Sequence, residues 1–187
     1  IEASVYIDAT EDGTLLSLCN VPYFQGSGDI NVPDSYMPVE YNFIISNVNW
    51  QDIESIRKRS QIMDDFESVL KQYKKNSPKI KISNLSFIGQ PGNDIVISGI
   101  RMHGVNVNDP EKMAEDLNTA QKEAQMLTVF LQTVFVPFED CTFRTGPAKF
   151  YIPENRHYEG RYRLKVEDIL ENRDFPRKVV MASAPVD

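Results

Sequence analysis

Between residues 39 and about 144 the chain runs strand, long helix, two paired strands, long helix, strand. No other feature restricts the fold as much. Residues 39–48 are dense in β-branched and aromatic side chains, the composition of a buried strand. Asn49 then stands as a helix cap with Asp52 three positions on, a relative of the capping box. Ile56, Met63 and Leu70 recur at seven-residue spacing with Phe66 and Tyr73 beside them, giving one apolar face until Asn76-Ser77-Pro78 stops the helix. Lys79-Ile80-Lys81-Ile82 alternates and continues through Leu85, Phe87 and Ile88. The turn Gln90-Pro91-Gly92-Asn93 then leads into residues 94–100, and the two runs predict an antiparallel hairpin.

The second helix has the strongest local signal. Asn108-Asp109-Pro110-Glu111 supplies a polar cap, proline at the first helical position and an acid in the first turn. Met113, Leu117, Ala120, Ala124, Leu127, Leu131 and Val134 then follow at spacings of four and three. Such a stripe suits a coiled-coil seam or a face laid on the chain's own sheet; Phe130 and Phe135 widen it and favour the sheet. Val136-Pro137 ends the helix, and residues 138–144 supply a closing strand. The βαββαβ order predicts an α+β protein with a ferredoxin-like central sandwich, two long helices on one face of an antiparallel sheet.

Extensions flank that centre, so the expected divisions are a strand and loop extension over 1–38, the core over 39–146, and a strand-containing extension and tail over 147–187, together one structural unit. Residues 4–8 alternate weakly, Glu11-Asp12-Gly13 signals a turn, and Leu15-Leu16-Ser17-Leu18 is a short apolar run. Phe150-Tyr151-Ile152 reads as strand, as does the basic and apolar alternation of Arg161, Tyr162, Arg163, Leu164, Lys165 and Val166. A helical turn is expected within residues 169–175.

Composition narrows the partners. The net charge is −7, so the surface repels phosphate backbones and nucleic acid is not expected. Arg57-Lys58-Arg59 and the lysines at 71, 74 and 75 share a helix with Asp64, Asp65 and Glu67, which makes a solvated face. The strand at 95–100 also lacks the aromatics on which RNA bases stack. No apolar run approaches the ~20 residues that cross a bilayer. A chain opening on Ile1 reads as a processed product or excised fragment, with room upstream for a membrane anchor.

Candidate chemistry is sparse. Gln25-Gly26-Ser27-Gly28-Asp29 lacks the Lys-Ser/Thr of a phosphate cradle and opens no helix. His103 and His157, the only histidines, fall in no ligand pattern, and no Gly-x-Ser-x-Gly occurs. Cys19 and Cys141 either close one long disulfide loop, worth ~4–5 kcal/mol in the chain-entropy model, or remain thiols. Glu139 and Asp140 beside Cys141 are expected to raise its pKa. The pairs Asp64-Asp65 and Glu139-Asp140 are sequence neighbours that diverge on a helix or strand. Asn84-Leu85-Ser86 fits the glycosylation pattern inside a strand, where chance explains it. No catalytic residue, cofactor, metal or small-molecule substrate is expected.

Residues 60–166 resemble the periplasmic ferredoxin-like domain of the PilN and GspL type, which helps assemble type IV pilus and type II secretion platforms. The resemblance lies in a helix, the strand of residues 79–87, Asp94-Ile95-Val96-Ile97-Ser98-Gly99 ending in glycine, a helix closing at Leu131, and Phe138-Glu139-Asp140 leading into a strand. It implies a non-enzymatic assembly scaffold, periplasmic with its membrane anchor missing, that joins protein partners as a homo- or hetero-oligomer without itself inserting in the membrane. A virion or other large-complex subunit, there or in a cytoplasmic assembly, is the second expectation, and an enzyme whose pocket the sequence does not display is the third. Contacts are expected through Arg161, Tyr162, Arg163, Leu164, Lys165 and Val166 and through Leu117, Leu127 and Leu131.

Overall fold

The computed structural model describes residues 2–28, 31–32, 35–57, 68–71, 73, 80–178 and 181, apart from the side chains of 83 and 84. In chain order its elements are α1 (Thr14–Leu18), β1 (Tyr23–Gln25), β2 (Val39–Ser46), α2 (Trp50–Arg57), β3 (Ile80–Gln90), β4 (Asp94–Met102), α3 (Pro110–Val134), a 3-10 turn (Val136–Phe138), β5 (Thr142–Thr145), β6 (Arg156–Tyr158) and α4 (Val166–Leu170). Ser68, Val69, Leu70, Lys71 and Tyr73 are helical as well. The protein is mixed α/β with antiparallel sheets. The chain divides into two units, residues 24–156 and the paired ends 1–23 with 157–187.

Within residues 24–156, four strands lie in the order β3-β4-β2-β5 and every ladder is antiparallel. Strand β2 alternates strictly, with Val39, Tyr41, Phe43 and Ile45 buried and the residues between them half-exposed. Antiparallel sheets commonly bury one face and leave the other wet, and that alternation is the result. Helix α3 contributes Ala120, Ala124, Leu127 and Leu131 to the core, all fully buried alongside Ile45, Ile95, Ile97, Ile100 and Met102. Its start follows from Asp109, whose Oδ1 accepts the Lys112 N–H at 3.1 Å, and from Pro110, which needs no amide partner in the first turn. Asn49 caps α2 in the same way, accepting the Gln51 N–H at 3.0 Å. The expected stripe residues Met63 and Phe66 lie outside the described residues.

Gly99 resets the sheet. Tyr41 pairs with Ile100 and Phe43 with Ile97, so β4 carries one extra residue there, and Gly99 takes φ 127. Only glycine adopts that backbone without strain. The strand therefore runs on to Met102 rather than ending at the glycine.

Several expected strands are absent. Residues 4–8 form none, and the apolar run at 15–18 lies in α1. Asp8 Oδ2 accepts the Leu16 N–H at 2.9 Å and Thr10 Oγ1 accepts the Thr14 N–H at 2.7 Å, so side chains satisfy the amides of a short helical turn. Around Phe150-Tyr151-Ile152 only an isolated bridge forms, with Glu40 and Tyr151 exchanging both backbone hydrogen bonds at 2.9 Å. Arg161, Tyr162, Arg163, Leu164 and Lys165 are not a strand, and Val166 opens α4.

Asp168 explains that last difference. Its Oδ2 accepts the Tyr162 hydroxyl at 2.5 Å and the Lys165 N–H at 2.9 Å, and its Oδ1 accepts Arg173 Nη1 at 2.8 Å. The phenol hydrogen bond first, then the Lys165 amide, hold the carboxyl down at about 2. The Lys165 amide is thereby committed to a helix cap and not to a ladder. Among the described residues of the paired-ends unit only Asp168 is buried, while Ile7, Leu18, Leu164 and Leu170 are exposed.

Two outcomes test this account. Leu127→Ala should cost ~2–5 kcal/mol in denaturant unfolding, and Val129→Ala, on the exposed side of α3, no more than ~0.5 kcal/mol. If both changes are silent, α3 does not cover the sheet. Asp168 is more acidic folded than its ordinary 3.8, so its stabilisation is complete above that value and lost as pH falls through about 2. Asp168→Asn should accelerate exchange of the Lys165 amide at neutral pH; equal exchange in variant and wild type would remove the carboxylate from the account.

Candidate functional site

Among the described residues, two clefts lie at opposite ends of β2. One, of about 670 Å³, sits where β2 begins and β4 ends, with Gln25, Ser35, Tyr36, Met37, Asn106 and Asn108 on its walls. The other, of about 540 Å³, sits where β2 runs into α2 and is lined by Asn47, Asn49, Asp52, Ser55, Glu139 and Asp140.

The first cleft is built from three segments remote in sequence. Gln25 comes from β1, Ser35, Tyr36 and Met37 from the lead into β2, and Asn106 and Asn108 from the loop between β4 and α3. Gln25 Nε2 donates to Asn155 Oδ1 at 3.0 Å and to Asn108 Oδ1 at 3.5 Å. Asn106 Oδ1 accepts the Asn108 N–H at 3.0 Å, the turn that lets the loop enter α3. No charged side chain is among its described lining residues. Such a wall offers amide donors and acceptors, with the Ser35 and Tyr36 hydroxyls beside them.

The second cleft collects carboxylates. Asp52, Glu139 and Asp140 face it together with the amides of Asn47 and Asn49. Among the described residues, no set of three or more His, Cys, Asp or Glu is placed to hold a metal ion.

The remaining reactive groups lie elsewhere. Cys141 is fully buried and Cys19 exposed, both as free thiols. Burial pushes the Cys141 thiol up to about 11; the expected effect of Glu139 and Asp140 is replaced by desolvation. His103 follows β4 at the surface, and partial burial, then Lys81 and Arg101, lower its pKa. Burial, with Glu123 adding to it, raises the Tyr73 phenol, and neither residue lines either cleft.

The residues expected to make contacts are scattered. Leu127 and Leu131 are buried in the core and Leu117 packs half-buried against it, so the stripe faces this chain's own sheet. Arg161, Arg163, Leu164 and Val166 are exposed, whereas Tyr162 and Lys165 are tied to Asp168. None of the nine is among the described lining residues of these two clefts. The sequence places Gln25 in a loop and Asn108 at a helix cap, and nothing in it marks these two, Tyr36 or Asn106 as one wall until the fold gathers them.

The family model described as FAD dependent oxidoreductase matches residues 1–187, and the chain belongs to that family. No curated protein and no solved structure matches it. The family is one of enzymes, which overturns the expected kinship with PilN and GspL domains and the pilus, secretion or virion scaffold role that followed. A hairpin, a strand glycine, a helix with late leucines and a Phe-Glu-Asp lead into a strand can recur in unrelated helix-covered antiparallel sheets, and they carry no kinship. Of the three roles weighed, the enzyme with an undisplayed pocket is the one in the family's class.

FAD does not fit the described residues. A dinucleotide site needs parallel strands and a glycine-rich turn feeding a helix N-terminus that receives the pyrophosphate. Every ladder of the central sheet is antiparallel, and Ser27, between Gly26 and Gly28, forms an isolated bridge with Val32. Each N-terminus among α1 to α4 already carries a carboxylate, respectively from Asp8, Asp52, Asp109 and Asp168. A pyrophosphate brought to any of them meets like charge.

Native protein should react with one equivalent of a thiol reagent, at Cys19, and with two after unfolding in guanidinium. Rapid loss of both thiols from the native state would contradict the burial of Cys141.

Proposed function

We propose that this member of the FAD-dependent oxidoreductase family is the substrate-side part of its enzyme. It contributes a binding cleft, and the dinucleotide is held by another part, on the same or a second polypeptide. One observation carries the reading: a chain matched over its whole length by this family has only antiparallel ladders in its central sheet and an acid at each helix N-terminus from α1 to α4. The amide-walled cleft at the β2–β4 end is the site assigned to substrate, because it offers oriented donors and acceptors without fixed charge.

The central sheet is read here as a ferredoxin-like split βαβ sandwich. Its order β3-β4-β2-β5 supports this, since β4 lies between β2 and β3, the two strands that α2 connects in sequence. The paired-ends unit is read as a surface for a protein partner, the dinucleotide-binding part. Supporting this, its described residues bury no apolar side chain while exposing Val5, Ile7, Leu18, Leu164 and Leu170.

The test is to mix the purified 187-residue chain with FAD and follow flavin fluorescence and retention on gel filtration. The expected result is no retention and no quenching at micromolar concentration. Stoichiometric capture of FAD would overturn the assignment.

A further inference from the structure

We infer that the cleft at the β2–β4 end takes a neutral polyhydroxylated ligand, a sugar or sugar-like polyol, recognised by the carboxamides of Gln25, Asn106 and Asn108. The inference rests on the reading of this chain as the substrate-side part, and it names the substrate class of that site.

Hydrogen-bond arithmetic supplies the first argument. Gln25 Nε2 spends both hydrogens on Asn155 Oδ1 and Asn108 Oδ1. Gln25 Oε1 remains as an acceptor, and the side-chain NH2 of Asn108 remains as a donor. Asn106 has its Oδ1 on the Asn108 backbone amide, which leaves its NH2 as a further donor. The wall therefore offers both donors and acceptors from amides held by one another. A hydroxyl both donates and accepts, and adjacent hydroxyls present the paired geometry that such a set satisfies.

Charge supplies the second argument. An anionic substrate needs a cation, and neither Lys, Arg nor His is among the described lining residues. A cationic one needs an acid, and neither Asp nor Glu is among the described lining residues. The described lining therefore suits a neutral ligand. Half-buried Tyr36 and exposed Met37 add apolar surface to the same wall, as the C–H face of a pyranose requires. The volume of about 670 Å³ is ample for one or two such rings.

Saturation-transfer NMR on the 187-residue chain reads this directly, with glucose, galactose and xylose as neutral probes and glucuronate and an uncharged tripeptide as contrasts. Transfer to at least one neutral pyranose is expected. Asn108→Ala and Gln25→Ala should each weaken it by about two- to tenfold, the effect of removing one hydrogen-bonding partner. Ser55→Ala, in the other cleft, should leave it unchanged. Asn108 is exposed in a loop, so its variant keeps the test valid if Gln25→Ala fails to fold. The inference is overturned by no transfer to any pyranose at tens of millimolar, by preference for glucuronate or the peptide, or by binding indifferent to both cleft variants. Failure of the substrate-side reading shows separately, as FAD capture by the same chain.

Discussion

The structure depends on one packed contact, that of the buried sheet face against helix α3. Ile45, Ile95, Ile97, Ile100 and Met102 meet Ala120, Ala124, Leu127 and Leu131, all without solvent exposure. Two alanines among the contact positions let the helix backbone approach the strands, and the leucines fill the space beside them. The direction of β2 across this contact sets everything else. Its first residues deliver the chain segment that walls the amide cleft, and its last deliver Asn47 and Asn49 to the acidic one.

A second regularity concerns the helix ends. Helix N-termini attract anions, and here Asp8, Asp52, Asp109 and Asp168 answer that attraction internally. The acids stabilise short elements that propensity alone does not hold, α1 and α4 above all. The same acids place negative charge at these four helix ends. Local stability and the charge at these helix ends are thus one arrangement, and no acid stands among the described lining residues of the amide cleft.

Much of the scaffold was legible. Asp109 and Pro110 announce α3, the four-and-three stripe announces its buried face, and the alternation on either side of Gln90-Pro91-Gly92-Asn93 announces the hairpin. Legibility failed where structure depends on a side chain bonding across several residues. Asp8 and Asp168 turn short stretches into helix although the alternation of neighbours suggests strand. The cleft was illegible for a topological reason, since Gln25 and Asn108 are brought within hydrogen-bond reach only by the folded sheet. Kinship was misread because the matched pattern was one of packing, which unrelated proteins share.

Gly99 has a wider consequence. The alternation of β4 changes phase there, so that Ile97 and Ile100 both reach the core while Ser98 and Arg101 share the open face, where Arg101 Nε meets Glu40 Oε1 at 3.1 Å. The extra residue acts as a frame marker for the strand. Without it, Ile97, Ser98, Ile100, Arg101 and Met102 would follow one another in plain two-residue alternation, and each would keep the face it has now. The bulge therefore absorbs a change of length, since a deletion at Gly99 leaves both halves of the strand in frame with β2. A one-residue loss at Val96 would instead turn the residues before it inside out. Tolerance to a change of length is thus local to this point of the chain.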